Sequence, residues 1–110
     1  MITVFGTREG LIGGTTASGY IVETRVPFVA LPSVKALRKC VRVWTAAGSC
    51  EAMVLDVGPH YINDDAYVFG GARPQAESDG SNGAGIDLGE YVWKALEMTD
   101  NADVSWEFLA

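Results

Sequence analysis

Two short segments, residues 54–59 and 85–88, constrain the fold of this chain most, because each places one aspartate beside an apolar run. The first segment passes from an apolar run into Asp56 and a Gly-Pro corner, which predicts a buried strand that delivers a carboxylate to the rim of a core. Asp87 is predicted to open an amphipathic helix over residues 86–96. Two carboxylates at the edge of a small β core are the groups that acid–base chemistry on a sugar requires.

The rest of the chain predicts a mainly β protein with one proper helix and a single helical turn at residues 34–39. Runs of β-branched and aromatic residues predict strands at 2–5, 20–23, 25–30 and 103–108, and a hairpin that pairs 39–45 with 50–56. By pattern alone, five or six short strands with one helix form a small β-barrel or β-sandwich.

Length and charge limit the organisation and the partners of the chain. The 110 residues predict one domain over residues 1–110, with a long inserted loop over residues 58–84 of the kind that is usually functional or mobile. The formal net charge of −6 argues against nucleic-acid binding, because phosphate contacts need clustered Lys and Arg. No apolar stretch reaches the roughly 18 residues of a membrane span, so no span is predicted.

Cys40 and Cys50 are too few for a disulfide scaffold. A hairpin centred on Ala47-Gly48 would place Cys50 opposite Thr45 and Cys40 opposite Leu55, too far apart for a bridge. We therefore expect two free thiols, which leaves the redox compartment open. No signal-peptide pattern begins the chain, which leaves a cytoplasmic protein, another export route and an excised domain as alternatives.

Six motifs follow one another along the chain: Thr16-Ala17-Ser18-Gly19, Ala30-Leu31-Pro32, Val41-Arg42-Val43, Asp56-Val57-Gly58-Pro59, Ile86-Asp87-Leu88 and the closing Val104-Ser105-Trp106-Glu107-Phe108. They come in the order seen in double-psi β-barrels, and the chain resembles the rare lipoprotein A and expansin group within that fold. This group is related to family 45 glycoside hydrolases and to the barrel of lytic transglycosylase A. The resemblance spans roughly residues 15–108 and implies a six-stranded double-psi β-barrel with one or two short helices.

The resemblance also implies a function on cell-wall polysaccharide, with peptidoglycan as the first candidate. Members cleave glycan strands, as lytic transglycosylases or glycoside hydrolases do, or loosen them without hydrolysis. Asp87 matches the general acid of the hydrolytic members, and Asp56 matches an aspartate that lines the groove. A periplasmic, extracellular or cell-wall-associated location would follow.

The chain departs from the rare lipoprotein A pattern at two places. Tyr20 stands where a glutamate is usual, although Glu23 matches a carboxylate three positions further on, and Phe28 or a neighbour stands in place of a histidine. These departures put the lytic activity of that branch in doubt. They favour two alternatives, which are a non-catalytic carbohydrate-binding module of the expansin type and a structural domain of a phage particle or secretion assembly with an idle site.

Each catalytic candidate has a plainer interpretation. Asp87 is either a general acid with a raised pKa or the N-cap of a helix, paired with Glu90 in a capping box unless Gly89 is the cap. Asp56 either orients a sugar hydroxyl or a water molecule, or it hydrogen-bonds the amides of the Gly-Pro corner that follows it.

Five further residues are candidates for substrate binding: Tyr20, His60, Tyr61, Arg73 and Asn82. Tyr20, Tyr61, Tyr67 and Trp93 offer aromatic faces for sugar rings, although Trp93 is expected in the core. His60 is either a proton carrier near the site or a solvated loop residue.

The alternatives for the other two candidates are structural. Arg73 either pairs with a ligand carboxylate or forms an ion pair with Glu77 or Asp79. Asn82 otherwise fills a left-handed turn position. A single histidine among scattered carboxylates lacks a zinc-ligand spacing, so we predict no metal and no cofactor, and we expect a monomer that binds polysaccharide or peptidoglycan.

Overall fold

The computed structural model describes residues 1–109, and six strands in that range close into a barrel. The strands are β1 (Ile2–Arg8), β2 (Phe28–Leu31), β3 (Cys40–Trp44), β4 (Ser49–Val57), β5 (Ala84–Leu88) and β6 (Ala102–Phe108). Two short helices, α1 (Asp65–Val68) and α2 (Glu90–Ala95), and two 3₁₀ turns, Val34–Ala36 and Gln75–Ser78, lie between them. The predicted mainly β fold with six strands is confirmed.

The strands close in the order β1-β5-β2-β4-β3-β6. β1 runs parallel to β5 and β2 runs parallel to β4, whereas the other neighbours are antiparallel. Alternate residues point inward to one apolar core, as the pleat of a strand requires. Its fully buried members include Val29, Leu31, Val41, Val43, Val54, Ile86 and Leu88.

The predicted strands at residues 20–23 and 25–30 are wrong in extent. Ile21 makes only an isolated bridge to Thr15, and β2 begins at Phe28. Val22 explains the difference, because its N–H donates to the Gly14 carbonyl at 2.9 Å and its carbonyl accepts from Gly13 at 3.0 Å. Residues 10–22 therefore form hydrogen bonds with one another, and the barrel strand begins only after Pro27.

The predicted helix over residues 86–96 is wrong in its first turn. Ile86 and Leu88 alternate into the core as members of β5, and α2 begins only at Glu90, with Gly89 as its N-cap. Asp87 therefore lies inside a strand, and its backbone is fixed by pairing on both sides. β1 is also longer than the predicted strand at 2–5.

The hairpin of β3 and β4 exists, but its predicted register is wrong by two residues. Cys40 pairs with Met53 and Cys50 pairs with Val43, because the turn spans the four residues 45–48 and closes through Thr45 N–H to the Gly48 carbonyl at 2.9 Å. The two free cysteines lie three residue pairs apart, about 10 Å along the strands. That separation is too long for a disulfide.

The inserted segment 58–84 is anchored to the barrel by Tyr67 rather than being only a loop. The Tyr67 ring is 2% exposed, its hydroxyl donates to the Gly85 carbonyl at 2.8 Å, and it accepts from Trp106 Nε1 at 2.8 Å. Such a buried ring cannot stack on a sugar, so the interpretation of Tyr67 as a platform is wrong. The assignment of all residues 1–110 to one domain stays a prediction.

Gly89 leaves no room for a side chain where α2 meets β2. A Cβ at this position would lie 2.5 Å from Phe28 Cε1, and Phe28 is fully buried. We expect Gly89→Ala to lower the free energy of unfolding by about 1–3 kcal/mol through overpacking, measured by urea denaturation.

Gly10→Ala is the matched control for this prediction, because a Cβ at Gly10 meets nothing within 4 Å. Its free energy of unfolding should stay within about 0.5 kcal/mol of that of the unmodified chain. Equal stability of the two variants would contradict the close contact between α2 and β2.

Candidate functional site

Four residues form one row across four adjacent strands. Thr7 on β1 pairs with Asp87 on β5, Asp87 pairs with Ala30 on β2, and Ala30 pairs with Asp56 on β4. Residues paired across neighbouring strands share one face of a sheet. The two aspartates therefore lie on the same face, two strand spacings apart, with about 10 Å between their Cα atoms.

A register shift turns Asp56 away from the core. Val54 is a core residue that pairs with Val29, and the next pair joins Asp56 to Ala30, so Leu55 is an extra residue on β4. Strict alternation would place Asp56 on the same side as Val54, inside the barrel. The bulge instead aims the Asp56 carboxylate to the outer face, beside Asp87.

The Asp56 carboxylate is held ionised by hydrogen bonds. Burial opposes its ionisation, but the contact with Glu9 and the hydrogen bonds from the amides of Ala17 (3.0 Å) and Val57 (2.9 Å) outweigh burial and lower its pKa. The expected contact with the Gly-Pro corner is wrong, because the Gly58 N–H donates to the carbonyl of Leu31 instead.

The Asp87 carboxyl differs from Asp56 in its environment. Burial raises the pKa of Asp87, and the negative charge of Asp56 adds to the rise, whereas the hydrogen bond from the Thr7 hydroxyl and the charge of His60 oppose it. The capping-box interpretation is wrong, because Gly89 is the N-cap and the Glu90 carboxylate binds the Arg8 guanidinium at 2.7–2.8 Å.

Sequence reasoning missed two members of this site, Thr7 in the row and the buried Glu9. Glu9 follows β1, its side chain is 7% exposed, and its Oε2 atom is buried without a hydrogen-bond partner. Burial, the contact with Asp56 and the charges of Asp56 and Asp87 raise the pKa of Glu9 to about 9. The sequence Arg-Glu-Gly around it is typical of an exposed turn, so no local signal marks Glu9 as buried.

His60 and Asn82 lie together beside the row. The His60 Nε2 atom is 2.9 Å from Asn82 Oδ1, and the charge of His60 acts on Asp87. The Asn82 side chain also accepts from the amide of Ala84 at 3.0 Å. The left-handed turn position belongs to Gly83, at φ 79°, so that interpretation of Asn82 is wrong.

The tyrosines predicted as sugar platforms are held by different partners. The Tyr61 hydroxyl donates to Asp79, and the Tyr20 hydroxyl accepts from the amide of Glu23 at 3.0 Å. The Tyr20 ring meets Phe28 edge-on, with 5.4 Å between the ring centroids. Tyr20 and Tyr61 are both partly exposed, so each ring keeps some area for a ligand.

Arg73 is not brought to the aspartate pair. Its guanidinium binds the Glu77 carboxylate at 2.6–2.9 Å and donates to the carbonyl of Thr3 at 2.9 Å. Thr3 lies four residues before Thr7, about 13 Å away along β1. The ion-pair interpretation of Arg73 with Glu77 accounts for these contacts. Trp93 is 7% exposed and belongs to the core, as expected.

Two open clefts of the surface lie away from the acidic row. One of about 510 Å³ lies at the turn between β3 and β4, and one of about 470 Å³ lies beside Phe69 and Phe108. Neither is lined by Asp56, Asp87 or Glu9. The carboxyl groups of the row therefore lie on an open face of the barrel.

Two further properties concern the described part of the chain. Within residues 1–109, no three His, Cys, Asp or Glu side chains are arranged to hold a metal ion. None of the helices described for the chain has the length and apolar content to cross a membrane.

Residues 1–78 match the family described as Domain of unknown function (DUF8814). The chain belongs to this family. No curated protein matches the chain.

Three solved structures share the fold. A mutant expansin from Clavibacter michiganensis in complex with cellohexaose has a TM-score of 0.59 and 16% identity, and the match covers 99% of this chain and 51% of the expansin. Cerato-platanin 3 from M. perniciosa has a TM-score of 0.59 and 10% identity over 99% and 95% of the two chains. The Streptomyces papain inhibitor has a TM-score of 0.54 and 13% identity over 96% and 92%.

These similarities establish the fold. The chain spans about half the length of the expansin. The barrel is a double-psi β-barrel, and the resemblance inferred from the order of the six motifs is confirmed at the level of the fold.

The proton on Glu9 should make the free energy of unfolding depend on pH. Between about pH 4.5 and pH 9 the folded chain retains a proton at Glu9 that the unfolded chain has lost, so its free energy of unfolding falls as pH rises. The slope from this group is at most about 1.4 kcal/mol per pH unit. Glu9→Gln removes it, so we expect the variant to gain stability over the unmodified chain progressively from pH 5 to pH 8 in urea titrations.

The exposed Glu23 provides the control for this measurement. Glu23→Gln should differ from the unmodified chain by the same small amount at every pH tested. A stability difference for Glu9→Gln that does not change with pH would show that Glu9 ionises normally in the folded state.

Proposed function

We propose that this chain acts on cell-wall polysaccharide, with peptidoglycan as the first substrate to test, by binding a glycan strand across Asp56 and Asp87. The observation that supports this most is the pairing of both aspartates with Ala30. This pairing places on one face two carboxyl groups whose pKa values are shifted in opposite directions. Acid-catalysed cleavage of a glycosidic bond requires such a pair of carboxyl groups.

In this proposal Asp87 donates the proton to the glycosidic oxygen. Its raised pKa favours the protonated form, and the Thr7 hydroxyl orients the carboxyl group by binding Oδ1. The Oδ2 atom of Asp87 lies near Gly58, and a Cβ added to Gly58 would lie 3.9 Å from this oxygen. The lack of a side chain at Gly58 keeps this approach to Asp87 open.

Asp56 would act as the ionised partner. Its carboxylate either stabilises positive charge on the sugar ring or positions a water molecule. For hydrolysis, the distance between the two carboxyl groups decides the stereochemistry: about 6.5–9.5 Å in inverting enzymes and about 5–5.5 Å in retaining ones. If the product is a 1,6-anhydro sugar, as for a lytic transglycosylase, no separate water is needed and one acid suffices.

The surrounding polar and aromatic groups suit a sugar polymer. His60 and Asn82 lie on one side of the row, and the partly exposed rings of Tyr20 and Tyr61 can stack on the C–H faces of pyranose rings. The expansin that shares this fold was solved with cellohexaose bound, which supports a carbohydrate as the ligand class. The proposal implies a monomer in the periplasm, outside the cell or at the cell wall.

A non-catalytic binding module is the second candidate, and one contact favours it. Tyr20 stands where the rare lipoprotein A pattern has a glutamate, and Phe28 or a neighbour stands where it has a histidine. The rings of Tyr20 and Phe28 pack on each other, with 5.4 Å between their centroids. An apolar contact therefore replaces two groups that can transfer protons. The same acidic face would then bind glycan without cleaving it.

Purified peptidoglycan sacculi distinguish the candidates when they are incubated with the unmodified chain and with Asp87→Asn. We expect muropeptides in the mass spectrum from the unmodified chain and at least about a hundredfold fewer from the variant, because general acid catalysis contributes that much. Asp103→Asn, an exposed change on β6 outside the row, is the control and should release muropeptides normally.

Two other outcomes are informative. Sedimentation of the chain with sacculi without any fragments would support the binding module. The absence of both cleavage and sedimentation would contradict a function on peptidoglycan. Cellulose would then be the next polymer in the same assay.

A further inference from the structure

We propose that Glu9 is a positioning residue of the acidic face: its buried carboxyl group donates the hydrogen bond that fixes Asp56 as the ionised, ligand-facing carboxylate. The inference deepens the proposed function and rests on it for the identity of the ligand. The hydrogen bond itself can be tested without any ligand.

The first support is the place of Glu9 in the fold. It lies two residues after Thr7, so alternation along the chain directs both side chains to the face of the aspartate row. The Glu9 N–H donates to the Leu88 carbonyl at 2.8 Å, which extends the pairing of β1 with β5 and fixes the backbone there. The side chain therefore enters the site from a rigid element.

The second support is the unsatisfied oxygen. Glu9 is 7% exposed, and its Oε2 atom is buried with no group that donates a hydrogen bond to it. A buried carboxylate without a partner is costly, whereas a buried carboxylic acid beside a carboxylate can donate its proton to it. Asp56 is that acceptor, and burial together with this contact raises the pKa of Glu9 to about 9.

The charges around Glu9 act in the same direction. The charged groups on the neighbouring elements are Asp56 on β4, Asp87 on β5, His60 after β4, and Arg8 on β1 in an ion pair with Glu90 on α2. The Arg8 guanidinium is occupied by Glu90 at 2.7–2.8 Å. The charges of Asp56 and Asp87 act on Glu9, and both favour its protonated form.

The three carboxyl groups therefore have different roles. Glu9 is too buried to touch a polymer, so it acts through Asp56 and not on the substrate. When Glu9 loses its proton above about pH 9, a second negative charge faces Asp56 and the hydrogen bond between them is lost. Ligand binding should therefore weaken above about pH 9, because of a residue that does not itself contact the ligand.

Two variants separate a hydrogen-bond donor from a merely structural side chain. Glu9→Gln retains a donor that cannot ionise, whereas Glu9→Leu fills the space without a donor. Carbon-13 carboxyl NMR titration of Asp56 is the first measurement. We expect a low Asp56 pKa in the unmodified chain and in Glu9→Gln, and a higher one in Glu9→Leu.

Co-sedimentation with peptidoglycan sacculi is the second measurement. We expect Glu9→Leu to weaken binding about tenfold at pH 7, as for a lost hydrogen bond to a charged group, and Glu9→Gln to bind normally. Glu9→Gln should also keep its binding at pH 10, where the unmodified chain loses it. If Glu9→Leu fails to fold, the comparison of Glu9→Gln with the unmodified chain across pH still decides.

The failure of this inference is distinct from that of the proposed function. An unchanged Asp56 titration in Glu9→Leu, or an alkaline loss of binding in Glu9→Gln equal to that of the unmodified chain, would overturn the role of Glu9. If sacculi bind none of the proteins, the proposed ligand is wrong, while the Asp56 titration still confirms or overturns the hydrogen bond.

Discussion

The pairing of β2 with both β4 and β5 is the constraint on which the candidate site depends. Ala30 is the shared partner of Asp56 and Asp87, so the separation of the two carboxyl groups is set by strand spacing and not by loop conformation. The same pairing closes the barrel, since β2 joins the two parallel strand pairs. A site built on backbone pairing in the middle of a sheet is more rigid than one built on loops.

Burial and hydrogen bonding then give three neighbouring carboxyl groups different acidities. Backbone amides and Glu9 stabilise the charge on Asp56, whereas burial raises the pKa of Asp87 and raises that of Glu9 most of all. Titratable groups whose surroundings separate their pKa values in this way are typical of acid–base sites. The proposed function on polysaccharide uses this separation directly.

The parts of the fold and the site that follow from local pattern could be predicted. Asp56 stood out because it ends an apolar run, and the six ordered motifs implied the barrel, which the structure confirms. The surroundings of Asp87 could not be predicted, because a short apolar run before a helix fits either a strand or the first helical turn. Glu9 and the bulge at Leu55 depend on contacts between distant segments and leave no local signal.

The central claim is that the ligand lies on the face of Asp56 and Asp87. Amide chemical-shift mapping with a soluble peptidoglycan fragment tests it most directly. The account predicts the largest shifts at Ala17, Val57 and Asp87, which surround the two carboxylates. Shifts confined to the cleft beside Phe69 and Phe108, which does not include the carboxyl groups, would contradict it.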